Sequence, residues 1–114
     1  MEEAELEKLG KEYQLAQEQL RALAIQKEQF SLQKEEHAEA LAELEKATGK
    51  TYVSIGGVMV ETSREHAIAE VKERGELISA RLASISKQCD EAEKRGKALK
   101  DKFYAALNVP ADTG

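Results

Sequence analysis

The chain of 114 residues contains no tryptophan, one cysteine (Cys89) and one proline (Pro110), and only 4% of its residues are aromatic. So few aromatic side chains are poor material for a compact core, whereas a charged fraction of 34% is typical of long solvated helices. A lone cysteine cannot form an internal disulfide, which favours the cytoplasm. No apolar run approaches the roughly 20 residues that span a bilayer, and the acidic first residues lack the basic region of a secretory signal. We therefore expect a cytoplasmic, helical protein with no membrane partner.

Motifs of catalysis and nucleotide binding are also lacking. The net charge of −5 argues against a nucleic-acid partner, because phosphate affinity needs an excess of Lys and Arg. Neither a GxGxxG nor a Walker loop occurs, and His37 and His66 fit no metal-binding spacing. We interpret His37 and Cys89 as residues packed between helices and His66 as a solvated residue. The sequence thus predicts no catalytic residue, no metal, no cofactor and no enzymatic activity.

Two runs of alternating apolar residues, 51–55 and 58–62, flank the pair Gly56-Gly57. This pattern predicts a β-hairpin over 51–62 with a primed turn, in which glycine accommodates φ > 0. An isolated two-stranded hairpin is marginally stable and has two open edges. We therefore expect it to pair with hairpins of other subunits. The residues predicted to mediate this oligomerisation are Tyr52, Val53, Ile55, Val58, Met59 and Val60, with Val53, Ile55, Val58 and Val60 on one apolar face.

Heptad patterns precede and follow the hairpin, and we use the word seam for their a and d positions. A first helix is predicted over 1–48, a second over 63–108 and a tail over 109–114. Thr62 and Glu65 have the spacing of a capping box for the second helix, with Ser63 as an alternative cap. The first seam comprises Leu6, Leu9, Tyr13, Ala16, Leu20, Leu23, Lys27, Phe30, Lys34, His37, Leu41 and Leu44. The second comprises Ile68, Val71, Gly75, Ile78, Leu82, Ile85, Cys89, Ala92, Gly96, Leu99, Phe103 and Ala106.

The two seams match when the chain folds back at Gly56. Each facing pair of residue numbers then adds up to 112, as in Leu6 with Ala106 and Leu44 with Ile68. The heptads and the glycine turn thus give the same register. The predicted fold is a single, mostly α domain over 1–114, a long antiparallel two-helix coiled coil with one β-hairpin inserted at its midpoint.

Apolar side chains also gather at the predicted open end of the coil. A two-helix coil cannot fully bury a Phe or Tyr in its last layers, and helix ends fray. An exposed apolar patch with a charged rim is typical of a binding surface. The candidate binding residues at this tip are Leu6, Leu9, Tyr13, Leu99, Phe103, Leu107 and Val109.

The segment YVSIGGVMVETSREHAIAEVKERGELISARL, residues 52–82, resembles the archaeal-like beta-type subunits of the prefoldin family. An aromatic-led strand, a glycine turn, an apolar strand, a Thr/Ser cap and a heptad helix follow one another as in that family. Gln26-Lys27 also resembles the family's Gln- and Lys-rich first helix, although the first helix here has more Glu. A single hairpin favours the beta type, because alpha-type subunits carry two.

This resemblance implies more than the heptads do. Hairpins of prefoldin subunits join into an oligomeric β-barrel, and the usual assembly holds two alpha and four beta subunits. The tips of the coiled coils hold unfolded polypeptides without ATP and pass them to a group II chaperonin. On this chain, the resemblance makes Val53, Ile55, Val58 and Val60 the assembly face. Its implied client contacts are Leu6, Leu9, Tyr13, Phe103 and Leu107.

The alternative is a structural coiled-coil tether or adaptor whose ends bind one defined partner. It predicts saturable binding to a single protein and indifference to unfolded polypeptides in general. The sequence leaves open whether the chain forms a homo-oligomer or needs an alpha-type partner.

Overall fold

A computed structural model of the chain describes residues 2–107, which form two long helices and two strands. In chain order these are α1 (Glu3–Lys46), β1 (Thr51–Ile55), β2 (Val58–Thr62) and α2 (Arg64–Ala106). The predicted fold class, mostly α with one hairpin between two helices, is confirmed. Residues 108–114, which include the predicted end of the second helix and the tail, lie outside the described residues.

The strands pair as an antiparallel hairpin in the register that the alternation predicts. Val53 faces Val60, and Ile55 faces Val58. The turn residues Gly56 and Gly57 have φ of 56° and 82°, the left-handed values that a primed turn requires at both central positions. The hairpin alone makes a two-stranded sheet, so each strand has one edge without a partner among the described residues.

Packing divides the described residues into two compact units. One, the hairpin unit, comprises residues 28–83; the other, the terminal unit, comprises the described parts of residues 1–27 and 84–114. Each unit contains one segment of α1 and one of α2. The terminal unit has two grooves between its helix segments. One lies between residues 13–20 of α1 and residues 93–100 of α2. The other lies between residues 5–12 of α1 and residues 102–106 of α2. Since residue numbers rise on α1 as they fall on α2, the segments are antiparallel.

The helix segments of the hairpin unit are also antiparallel. Residues 34–41 line a groove with residues 71–79, and the Arg64 guanidinium donates a hydrogen bond to the Glu45 carbonyl in the last turn of α1. That carbonyl belongs to the four at a helix end that have no partner in their own helix. Arg64, at the beginning of α2, thus satisfies one of the carbonyls at the end of α1.

Burial follows the predicted seam closely. All but two of its positions are buried or half-buried; the most buried are Leu9, Ala16, Ile78, Ile85, Cys89 and Ala92. The exceptions, Lys27 and Lys34, are exposed because a lysine at a seam position carries its ammonium group out to water. Ala67 is buried although it lies off the seam. No large side chain among the described residues is more than 98% buried, since two helices cover a seam residue incompletely.

The predicted Thr62–Glu65 capping box is wrong, and Ser63, given above as the alternative cap, is the cap of α2. The backbone N–H of His66 donates to the Ser63 hydroxyl at 3.1 Å, and the N–H of Ala67 donates to the Ser63 carbonyl at 3.0 Å. The reason is the helix start. Because Thr62 still belongs to β2, the first helical residue is Arg64, and the position that a capping box would give to Glu falls on His66.

We expect Ser63→Ala to lower the free energy of unfolding by about 1 kcal/mol, because it removes the oxygen that accepts from the His66 N–H. Glu65→Ala, the matched control for the rejected capping box, should cost less than about 0.5 kcal/mol. Chemical denaturation followed by circular dichroism measures both. A larger loss for Glu65→Ala than for Ser63→Ala would contradict the assignment of the cap.

The helices contain three glycines, Gly10, Gly75 and Gly96, whose surroundings differ. A Cβ at Gly10 would lie 3.3 Å from Cε2 of Phe103, whereas a Cβ at Gly75 would meet no heavy atom within 4 Å. Glycine costs a helix interior about 1 kcal/mol relative to alanine. Gly75→Ala should therefore raise the free energy of unfolding by about 1 kcal/mol, and Gly10→Ala should raise it less or lower it. If chemical denaturation gave the two variants the same increase in the free energy of unfolding, Phe103 would not need the space at Gly10.

Candidate binding surfaces

Two sets of apolar side chains are candidates for binding, one in each unit. The hairpin surface consists of Tyr52, Val53, Ile55, Val58, Met59 and Val60. The terminal cluster consists of Leu6, Leu9, Tyr13, Leu99, Phe103 and Leu107, which are the predicted tip residues that the structure describes. Val109, the remaining predicted tip residue, lies outside the described residues.

The hairpin surface leaves large apolar side chains exposed to water. Ile55 and Val58, which face each other next to the turn, are each 61% exposed, and Val53 is half-buried. The opposite face also carries apolar area, because Met59 is 64% exposed and Tyr52 is 48% exposed. A hairpin with two open edges and apolar side chains on both faces has the features of an element that is completed by another chain.

Within the terminal cluster, Phe103 is the central contact. Its ring meets the Tyr13 ring edge to face, with centroids 6.4 Å apart and planes at 88°. Such T-shaped pairs contribute about 0.5–1.5 kcal/mol beyond the area that they bury. Gly10 lies close against the same ring, so that α1 presents a flat backbone surface to it. Phe103 and Tyr13 are nevertheless only half-buried.

The rest of the cluster ranges from buried to exposed. Leu9 is buried, Leu6 and Leu99 are half-buried, and Leu107, just beyond the end of α2, is 41% exposed. A groove of about 540 Å³ next to Leu9 has Glu5, Lys8, Glu12 and Lys102 along its sides. The structure thus brings apolar side chains and a charged rim together in one unit.

Tyr104 belongs to this aromatic group, although the heptad pattern does not single it out. Its ring centroid lies 6.2 Å from that of Phe103, and Nζ of Lys100 lies 5.7 Å from its ring centroid. A lysine over an aromatic ring is attracted by the negative face of the ring. The signal in the sequence was the spacing of Lys100 and Tyr104, four residues apart and therefore neighbours on one helix face.

The residues considered for catalysis do not come together as a site. His37 is half-buried and its Nδ1 donates to the Gln33 carbonyl at 2.9 Å, while His66 is exposed and lies 4.0 Å from the Glu70 carboxylate. Cys89 is buried and free. Within residues 2–107 no group of three or more His, Cys, Asp or Glu side chains is placed to hold a metal ion. Over the same residues, no helix is long and apolar enough to cross a membrane.

Comparison with known proteins decides the family. A family model described as prefoldin subunit matches residues 7–108. The chain belongs to the prefoldin family. Relatives include the prefoldin beta subunits of Methanosarcina acetivorans, 37% identical over 86% of each chain, and of Pyrococcus furiosus, 33% identical over 82% of each chain. The predicted resemblance to beta-type prefoldin subunits is thereby confirmed.

The fold of a solved prefoldin agrees as well. The crystal structure of the prefoldin beta subunit from Thermococcus strain KS-1 superposes with a TM-score of 0.84 at 27% sequence identity. The match covers 93% of this chain and 95% of that one. The prefoldin family is a family of chaperones, so the chain is placed in a chaperone family by sequence and by fold.

Proposed function

We propose that the chain is a subunit of an ATP-independent holdase of the cytoplasm. It captures unfolded polypeptides on the terminal cluster and assembles through the hairpin surface with alpha-type subunits and further copies of itself. The captured polypeptide is then delivered to a group II chaperonin. The observation that carries the proposal is that large apolar side chains stay accessible in both units of a prefoldin fold.

The terminal cluster suits weak and unspecific capture. A fully buried large apolar side chain contributes about 1.5–3 kcal/mol, and Phe103 and Tyr13 have already lost part of their exposed area to each other. What remains for a client is a few partly open side chains, which hold any apolar segment without demanding a defined sequence. Weak contacts of this kind also allow release.

Assembly would turn weak contacts into effective holding. When several clusters are joined in one particle, a client that is bound by one of them meets the others at a high local concentration. The hairpin surface supplies the joining element, because the open strand edges can extend a sheet into the next subunit while Ile55 and Val58 lose their exposure to water. Holding therefore depends on the hairpin as well as on the terminal cluster.

We expect Val60→Asp to disrupt assembly, because it places a carboxylate on the apolar hairpin face opposite Val53. Size-exclusion chromatography with light scattering, with and without an alpha-type subunit, should show a smaller particle. An aggregation assay with an unfolded protein should show a loss of holding. Lys50→Asp, an exposed position just before β1, is the matched control and should keep the full size. A full-size oligomer of the Val60→Asp variant would refute the role of this face.

We expect Leu107→Ser to weaken capture, since Leu107 is exposed and contributes to the terminal cluster without being a seam residue. In an aggregation assay with a chemically unfolded protein and no ATP, about fivefold more of the variant should be needed for half-suppression. Ala98→Ser, exposed in α2, is the matched control. Unchanged suppression by Leu107→Ser would remove this residue from the client surface.

The same assay separates a holdase from a tether. A tether would bind one defined protein saturably and leave the aggregation of unrelated unfolded proteins unchanged. The assay is therefore run with at least two unrelated clients and with the alpha-type subunit present. Failure to suppress either client under these conditions would contradict the proposed holdase.

A further inference from the structure

Gly96 occupies a seam position in the terminal unit and has no packing reason to be glycine. A Cβ built on Gly96 would meet no heavy atom within 4 Å, in contrast to the tight approach of Phe103 to Gly10. Glycine in a helix interior destabilises the helix relative to alanine. The residue thus leaves open space in the seam at a cost in stability.

The open space is a groove of about 310 Å³ between the two helix segments of the terminal unit. Its apolar part is formed by Ala16, Leu20 and the Tyr13 ring, together with the bare backbone of Gly96. The Gln17 side-chain amide donates to the Tyr13 hydroxyl at 3.0 Å, so this polar group on the ring is satisfied. The groove offers room for a large apolar side chain from outside.

The charges around the groove are predominantly positive. Residues 93–100 of α2 contain Lys94, Arg95, Lys97 and Lys100 against Glu93 alone, whereas residues 13–20 of α1 contain one charged residue, Glu18. Lys97 and Lys100 line the groove itself, and Glu93 is the one carboxylate beside them, so two positive charges stand against one negative charge in the lining. Among residues 2–107, none of these four cations lies within ion-pair distance of a carboxylate. The groove is therefore complementary to an acidic ligand.

We propose that the Gly96 groove is a subsite for unfolded polypeptides in which a large apolar residue is flanked by acidic residues. The apolar side chain enters the space that Gly96 leaves, and the flanking carboxylates approach Lys97 and Lys100. The subsite rests on the proposed capture of unfolded chains and adds a preference to it. Charge attraction in water is screened by salt, so the preference is strongest at low ionic strength.

The test uses two labelled peptides that share a leucine-centred core, one flanked by glutamates and the other by lysines. Fluorescence anisotropy measures their binding to the full-length chain. We expect the wild type to bind the Glu-flanked peptide about tenfold more tightly at low salt. Gly96→Leu, which fills the groove, should bind that peptide about tenfold more weakly while its thermal unfolding temperature rises.

Two matched controls separate the groove from its surroundings. Ala98→Leu adds the same side chain at an exposed position outside the groove and should leave binding unchanged. Lys97→Gln should weaken binding of the Glu-flanked peptide about threefold, whereas Lys94→Gln, which does not line the groove, should have a smaller effect.

Equal binding of the two peptides, or unchanged binding by a folded and more stable Gly96→Leu variant, would overturn the subsite. So would a change in particle mass on Gly96→Leu, which would make the groove a contact between copies of the chain. Suppression of aggregation by the same variants is measured in parallel. If the wild type suppresses aggregation and Gly96→Leu does so equally, the holdase stands and the subsite fails.

Discussion

Two helices packed against each other cannot fully enclose a large apolar side chain, and the rest of the structure depends on this constraint. Most seam residues are covered by the facing helix and stay partly open along their flanks, so that even Phe103 remains half-buried despite its contacts with Tyr13 and Gly10. In a globular domain further elements would close those flanks. Here apolar area close to water is inherent in the fold, and a chaperone can use it.

The hairpin is likewise too small to cover its own apolar side chains and strand edges. Two strands satisfy each other's backbone groups along one edge only, and neither face of the sheet is covered well enough to hide Ile55, Val58 and Met59. An element this incomplete gains stability by joining others, whereas a partly open helix seam gains only weak contacts. In the proposed function, the hairpin surface provides strong assembly and the terminal cluster weak capture, which is the combination that a releasable holder of unfolded chains needs.

Periodicity explains why much of this could be predicted from the sequence. A seven-residue repeat and a two-residue alternation specify which side chains share a face, and the pair Gly56-Gly57 specifies the turn and hence the register. Features that depend on one residue or one rotamer were predicted only in part, since Ser63 was the alternative cap and Tyr104 was not singled out. The cap moved from Thr62 to Ser63 because the strand ends one residue later than the capping box requires, and Tyr104 joined the aromatic group through its contacts with Phe103 and Lys100. The particle built by the hairpins remains a prediction, because one chain does not contain its partners.

Site-specific photo-crosslinking tests the central claim most directly, namely that capture and assembly use different surfaces. A photoreactive amino acid would replace Leu107 in one variant and Tyr52 in another, and each would be irradiated in the assembled particle with an unfolded client bound. We predict that position 107 crosslinks to the client and that position 52 crosslinks to a neighbouring subunit. Crosslinking of the client at position 52 but not at position 107 would contradict the account.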